Sequence, residues 1–153
     1  MAALFQIGSS IPVLRMSEEA AAKAFYVDFL GFKIEWEHRF EDSPKSPLYM
    51  QIRLGQAVIH LNGHATPDTP PAEVRIPVRD VQAFCNYLRS IDSKFPKPSV
   101  VNPRYSGKNT DMNRIDPFEN YLVFWELSHE QTKRLAKRLG LKLAICRFIF
   151  RCA

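Results

Sequence analysis

The chain has 153 residues, of which 46% are hydrophobic and 24% are charged, and its formal net charge is +5. This size and composition fit one globular domain or two small halves and exclude a disordered chain, and no apolar stretch reaches the roughly 18 residues that a membrane-spanning helix needs. Residues 1–10 lack the basic start of a signal peptide, and the three cysteines show neither a metal-ligand spacing nor a disulfide framework, so we expect a reduced, cytoplasmic protein.

The first half of the chain predicts a strand, a helix and three further strands. The helix is expected at residues 17–30, with Ser17 as its N-cap and Gly31 just beyond its C-terminus. Residues 62–71 are rich in turn-forming residues and predict a linker. The strands are expected, from apolar runs and apolar/polar alternation, at residues 4–15, 32–40, 48–54 and 57–61.

The second half of the chain repeats this order of elements. Asp80 is expected to cap the second helix, and strands are expected at residues 73–78, 100–101, 111–115 and 121–127. Because neither half could bury a sheet face alone, the repeat predicts an α+β fold of two tandem modules, at about residues 4–62 and 72–127. The same offset of 63 residues separates three pairs of positions: Val13 and Ile76, Phe25 and Leu88, and His60 and Val123.

Three motifs in these elements are shared with a known family. They are residues 11–15 (Ile-Pro-Val-Leu-Arg), residues 25–32 (Phe-Tyr-Val-Asp-Phe-Leu-Gly-Phe) and residues 116–120 (Asp-Pro-Phe-Glu-Asn). Over roughly residues 9–127 the chain resembles the glyoxalase/bleomycin-resistance superfamily, also called the vicinal-oxygen-chelate proteins, and within it the bleomycin-resistance branch. The resemblance implies two βαβββ modules that each curl a mixed sheet into part of a cup, in a protein that usually forms a homodimer.

The chain departs from the family pattern in two places. Glu119 stands at a turn position where the family has glycine, so we expect a strained turn with a positive φ. The loop at residues 104–109 lacks the Pro-Trp-Gly sequence of the resistance proteins. Since that loop helps to close the pocket, the identity of the ligand does not transfer with the fold.

Metal-dependent members of the family carry four His or Glu ligands, at positions that correspond here to Ile11, His60, Glu73 and Val123. Only His60 and Glu73 can coordinate, whereas a catalytic divalent site normally has at least three protein ligands and an open position. We therefore expect no metal and no other cofactor, with His60 lying in a polar pocket. A divalent metal held by His60 and Glu73 is the alternative.

The resemblance places the ligand-contacting positions of the resistance proteins at Glu35, Trp36 and Phe40. Trp36 would stack on a planar ligand, and Glu35 together with Glu37 would attract a cation. A competing interpretation is that Trp36 packs in the core, because it shares strand parity with Ile34. Further pocket candidates, chosen by polarity and position, are Tyr49, Gln51, His60 and Tyr105.

The positive charge is concentrated in residues 128–153, a basic C-terminal extension to the 1–127 domain that has no counterpart in the family. The extension holds 7 of the 21 basic residues and 1 of the 16 acidic residues. Residues 1–127 therefore hold 14 basic and 15 acidic residues. A nearly neutral body does not fit a nucleic-acid-binding face. We expect the extension to form a helix that packs on its own protein or is partly mobile. The alternatives are a membrane or partner segment, a dimer clasp and a segment without a role.

These observations favour a metal-free protein that binds a cationic, aromatic, antibiotic-like small molecule and acts by sequestration, as a homodimer. The rival hypothesis is a divalent-metal-dependent lyase, isomerase or dioxygenase of the glyoxalase type, in which a further ligand joins His60 and Glu73. A third hypothesis is an interaction module that uses the cationic extension. No nucleophile is evident, since Cys85 lies on the apolar side of the second predicted helix, and we expect neither a nucleic acid nor a membrane as partner.

Overall fold

The computed structural model describes residues 7–41, 43, 46–66, 68–102 and 110–126, which form two open, curved mixed sheets with helices beside them. The predicted fold class is confirmed, whereas the extension at 128–153 and Tyr105 lie outside the described residues. Within the described part, no helix is long and apolar enough to cross a membrane. The elements are, in chain order, β1 (Val13–Arg15), α1 (Glu19–Ala22) continued by a π-helix (Lys23–Phe29), β2 (Lys33–Arg39), β3 (Leu48–Leu54), β4 (Ala57–Asn62), β5 (Glu73–Pro77), α2 (Val81–Ser90), β6 (Thr110–Ile115) and β7 (Tyr121–Glu126).

The two sheets share one topology. The first has the order β1-β4-β3-β2 and the second the order β5-β7-β6, and in each the first strand of the module runs parallel to its last strand. Leu14 pairs with Leu61, and Ile76 pairs with Phe124; all four side chains are buried. Equivalent positions of the two modules are therefore 63 residues apart in β4 and β7 but 62 residues apart in β1 and β5. The position equivalent to Ile76 is Leu14, so the predicted equivalence of Val13 and Ile76 is wrong by one residue.

The second sheet has three strands in the described part of the chain, one fewer than predicted for its module. The strand expected at residues 100–101 is reduced to a single bridge between Val101 and Asp111. Pro96 and Pro98 precede this bridge. Because proline lacks the backbone N–H that a β-ladder requires, the stretch that can pair is short.

The first helix is capped by Glu18 and not, as predicted, by Ser17. The Glu18 carboxylate accepts hydrogen bonds from the backbone N–H groups of Ala20 (2.7 Å) and Ala21 (2.6 Å). The longer side chain of glutamate reaches these groups from the extended backbone that an N-cap adopts. Gly31 follows the helix with a φ of 84°, which confirms its predicted place just beyond the C-terminus.

The turn before β7 fastens the two modules together. Asp116 accepts hydrogen bonds from the backbone N–H groups of Phe118 (2.9 Å) and Asn120 (2.7 Å), and the Asn120 amide donates to the backbone carbonyl of Arg15 in β1 (2.8 Å). Glu119 has a φ of 68°, which confirms the strained conformation expected of a non-glycine residue at this position. Its carboxylate lies 2.6 Å from Nη2 of Arg15.

Candidate functional site

A β-bulge in β2 decides which of its side chains reach the open face of the first sheet. Ile34 pairs with Ile52 and Trp36 pairs with Gln51, so Glu35 is the extra residue of the bulge. The extra residue reverses the side-chain alternation between Ile34 and Trp36. Ile34 shares the side of Ile52, which is buried, although Ile34 itself is 37% exposed on this edge strand. Trp36 shares the opposite side with Gln51 and is 40% exposed there. The interpretation that Trp36 packs in the core with Ile34 is therefore wrong.

We call the exposed surface formed by Trp36, Tyr49, Gln51, Arg53 and His60 the Trp36 face. Neighbouring strands bring these side chains together, because Gln51 pairs with Trp36 on one side and with His60 on the other. The Trp36 ring stacks on Tyr49, with centroids 6.0 Å apart and planes 16° apart. It meets the His60 ring edge-on at 5.2 Å. The Tyr49 and His60 rings are themselves 5.4 Å apart, so the three rings form one cluster while part of the indole stays open to solvent.

A chain of hydrogen bonds sets the tautomer of His60. Gln51 donates from its side-chain nitrogen to the carboxylate of Glu35, and because an ionised carboxylate only accepts, the amide oxygen of Gln51 faces His60. Nε2 of His60 then donates to this oxygen at 2.7 Å. Nδ1 of the neutral ring accepts from the Tyr49 hydroxyl at 3.0 Å. Both ring nitrogens of His60 are therefore engaged within the Trp36 face.

Glu35 is an ion-paired acid at the edge of the Trp36 face. Nε of Arg53 donates to one carboxylate oxygen, while Gln51 donates to the other. The hydrogen bond from Arg53 is the main cause that lowers the pKa of Glu35, and Glu35 in turn raises the pKa of Arg53. The two side chains are 30% and 42% exposed, so both solvent and a ligand have access to the pair.

Arg53 is a residue of this face that the sequence analysis did not select. Tyr49, Gln51 and Arg53 alternate along β3, so strand periodicity alone places them on one side of the sheet. Periodicity does not show that Arg53 binds Glu35, because that contact depends on the bulge in the neighbouring strand.

Two further predicted residues, Glu37 and Phe40, contact residues outside the five that form the Trp36 face. The carboxylate of Glu37 is 2.8 Å from Nζ of Lys23 on the first helix, so Glu37 does not add its charge to the face as expected. Phe40 is 67% exposed and packs between two imidazole rings, with centroid distances of 4.7 Å to His38 and 5.0 Å to His64. Phe40 lies one residue beyond β2 and contacts His38, which pairs in register with Tyr49 of the Trp36 face, so its contact with a ligand stays a prediction.

The residues at the metal-ligand positions of the family do not fit a divalent metal. Ile11 and Val123 carry hydrocarbon side chains, and both nitrogens of His60 are hydrogen-bonded. Glu73 lies on the second sheet, 3.8 Å from Nη1 of Arg75. Within the described ranges, no group of three or more His, Cys, Asp or Glu side chains is placed to hold a metal ion.

A cavity of about 430 Å³ lies apart from the Trp36 face, beside the turn before β7. Arg15 in its wall donates from Nε to the Phe118 carbonyl, from Nη1 to the Thr69 carbonyl and from Nη2 to Glu119. Nε and Nη2 connect the first module to the turn before β7, and Nη1 connects it to the linker at residues 62–71. The guanidinium of Arg15 therefore has a structural role in the wall of this cavity. Its lining consists of Arg15, Met16, Ser17, Ala65, Thr66, Pro117, Phe118 and Glu119.

Comparison with known proteins gives one family and a set of similar folds. Residues 3–131 match a family model described as glyoxalase superfamily protein, and no curated protein sequence matches the chain closely enough to count as a relative. A structure described as a glyoxalase family protein from Bacillus anthracis is 20% identical, with a TM-score of 0.59 over 84% of this chain and 100% of that chain.

Two other similar structures are of proteins named for bleomycin. A bleomycin-binding protein complexed with bleomycin is 18% identical, with a TM-score of 0.54 over 78% of this chain and 98% of that one. A bleomycin resistance determinant encoded on the transposon Tn5 is 16% identical, with a TM-score of 0.54 over 80% of this chain and 99% of that one. At these identities the likeness concerns the fold.

Proposed function

Because this chain belongs to the glyoxalase superfamily, we propose that it binds a planar, cationic aromatic small molecule on the Trp36 face and sequesters it without turnover. The single observation that carries the proposal is a partly exposed tryptophan that packs against two other rings. A protein of the same fold was solved in complex with bleomycin, which supports the choice of a small-molecule ligand.

The aromatic part of the ligand would stack on Trp36. Tyr49 and His60 hold the indole in one orientation, and His60 is itself held by hydrogen bonds to Tyr49 and Gln51. A preorganised ring loses little entropy when a ligand binds. Offset stacking of two aromatic systems contributes roughly 0.5–1.5 kcal/mol beyond the burial of area.

The cationic part of the ligand would lie at Glu35. This carboxylate projects beside Trp36 because both residues belong to the bulge of β2. Its pKa is lowered, chiefly by Arg53, so it is ionised at neutral pH. A ligand cation at this position would take the place that the Arg53 side chain now holds.

A second copy of this chain is the partner that we propose. Ile11 and Val13 are 42% and 48% exposed, and Val13 pairs with His60 beside the Trp36 face. On the second sheet, Ile115 and Tyr121 are 51% and 43% exposed. A homodimer that covers such side chains would deepen the binding site, and light scattering would show twice the mass of one chain. For the compartment, the free thiol of buried Cys85 fits the expected reducing cytoplasm.

The test uses 9-aminoacridine, a planar aromatic cation, and measures its fluorescence anisotropy with the full chain. We expect saturable binding that Trp36→Leu weakens about tenfold or more, because stacking and burial are both lost. Tyr87→Leu is the matched control, since Tyr87 is an exposed ring on α2 of the other module. Equal binding by wild type and Trp36→Leu would refute the site.

Sequestration without turnover also requires that the bound ligand is recovered unchanged, which is a separate test. The acridine that is released by denaturing the complex should be chemically unchanged by mass spectrometry, in the amount that was bound. A product that accumulates with time and with catalytic amounts of protein would show an enzyme instead.

A further inference from the structure

We infer that Arg53 sets the charge specificity of the Trp36 face by occupying the carboxylate that a ligand cation would use. This inference rests on the proposed function, because it concerns the ligand site described above. It adds a residue that neither the motifs nor the comparisons indicate.

Arg53 and Gln51 already occupy the Glu35 carboxylate. One of its oxygens accepts from Nε of Arg53 and the other from the side-chain nitrogen of Gln51. Each oxygen therefore already has a donor within the protein. A ligand cation that binds Glu35 at short range competes with Arg53, because the guanidinium already neutralises much of the charge of this carboxylate.

Positive charge outweighs negative charge at this edge of the sheet. Lys33 pairs in register with Arg53 on the neighbouring strand, and it is exposed. Glu35 thus shares this corner with two cations. The two cations offset the negative charge of Glu35, so this corner attracts a further cation only weakly. The sequence alone, which shows the acid but not its neighbours in space, would assign Glu35 to cation binding.

Arg53 is able to leave the carboxylate of Glu35. Its side chain is 42% exposed and Glu35 is 30% exposed, so the ion pair lies in a solvent-screened environment where such pairs are weak. Binding of a cation would be an exchange of non-covalent partners, in which the guanidinium turns to solvent and the ligand takes its place. The strength of Arg53 as a competitor then tunes which ligands bind.

The experiment compares three probes of one shape and different charge: 9-aminoacridine as the cation, acridine as the neutral molecule and acridine-9-carboxylate as the anion. Arg53→Met removes the competitor and leaves Glu35 in place. We expect 9-aminoacridine to bind this variant about fivefold more tightly, acridine to bind unchanged and acridine-9-carboxylate to bind more weakly. The gain for the cation should shrink at high salt, because screening weakens the unmasked charge.

Two further variants control for net charge and for folding. Arg79→Met removes the same charge from an exposed position between β5 and α2, and should bind all three probes like wild type. Arg53→Lys keeps the charge but loses the planar guanidinium, so its affinity for the cation should lie between those of wild type and Arg53→Met. Thermal unfolding of each variant verifies that the fold is retained.

The outcomes separate this inference from the proposed function. If all three probes bind but Arg53→Met and Arg79→Met behave alike, Arg53 does not set specificity, while the binding function stands. If the cation binds wild type, binds Arg53→Met about fivefold more tightly and binds Arg79→Met like wild type, the inference is supported; if the cation binds only Arg53→Met, the proposed function of the natural chain is refuted although Arg53 does control access to Glu35. If no probe binds either wild type or Arg53→Met, both the inference and the proposed function are refuted.

Discussion

The hydroxyl of Tyr26 donates a hydrogen bond of 2.7 Å to the carboxylate of Asp116, although 90 residues separate them in the chain. This bond joins the first helix to the turn before β7 and thereby ties the two modules together. Burial is the main cause that raises the pKa of Tyr26 well above its ordinary value, and the neighbouring carboxylate adds to the effect. Burial also raises the pKa of Asp116, which hydrogen bonds from Asn120 and Tyr26 partly oppose.

Replacing Tyr26 by Phe should lower the free energy of unfolding by about 1–3 kcal/mol, because the buried carboxylate of Asp116 loses a donor. Urea unfolding followed by circular dichroism measures the change. Tyr87→Phe is the control, since Tyr87 is 55% exposed and its replacement should change stability by less than about 0.5 kcal/mol. Equal effects of the two substitutions would contradict the interlocking role of Tyr26.

The same pair predicts how stability depends on alkaline pH. The folded state keeps Tyr26 neutral, whereas the unfolded state ionises it at the ordinary pKa of about 10. The stabilising contribution is therefore complete below pH 10 and is lost as the pH rises toward the higher value of the folded state. Unfolding free energies measured between pH 8 and pH 11 (roughly spanning that pKa) should fall more steeply for wild type than for Tyr26→Phe. Parallel curves would show that Tyr26 titrates normally.

Glycine at position 119 should stabilise the protein. Glu119 holds a φ of 68°, which costs a non-glycine residue about 1–2 kcal/mol. Its ion pair with Arg15 contributes little to stability, because the Glu119 side chain is 78% exposed. We expect Glu119→Gly to raise the unfolding free energy by about 1 kcal/mol. Glu119→Ala keeps the strain and loses the ion pair, so it should be no more stable than wild type; a destabilised glycine variant would contradict the argument.

Two neighbouring substitutions test which residue caps the first helix. Glu18→Ala should cost about 1 kcal/mol of stability, because the backbone N–H groups of Ala20 and Ala21 lose their acceptor. Ser17→Ala should have little effect. Thermal unfolding measures both changes. A larger loss of stability for Ser17→Ala than for Glu18→Ala would show that Ser17 is the cap, as the sequence predicted.

Divalent metals should not stabilise this protein through His60. Its ring nitrogens are hydrogen-bonded to Tyr49 and Gln51, and hydrocarbon side chains stand at two of the four family ligand positions. We expect Mn²⁺, Ni²⁺ and Zn²⁺ to shift the Tm of wild type no more than that of His60→Ala. A shift specific to wild type, together with about one ion per chain by elemental analysis, would support the rival metalloenzyme.

The amino-acid sequence by itself determined the features that depend on local pattern. Periodicity predicted the order of strands and helices and their repetition. Gly31 marked the end of the first helix, and Glu119 marked a turn with positive φ. These signals are readable because helix ends and turns impose their requirements on residues that are close together in the chain.

Only the tertiary structure decided what surrounds Trp36. One extra residue in β2, Glu35, reverses the alternation of side chains, moves Trp36 to the open face and brings Glu35 to Arg53. Periodicity assumes regular pairing and therefore placed Trp36 with Ile34. A bulge is a property of two strands and not of one, because its position depends on the register that long-range packing selects. Trp36, Tyr49, Gln51 and His60 could thus be named from the sequence, but Arg53, the face that these residues share and their charge partners could not.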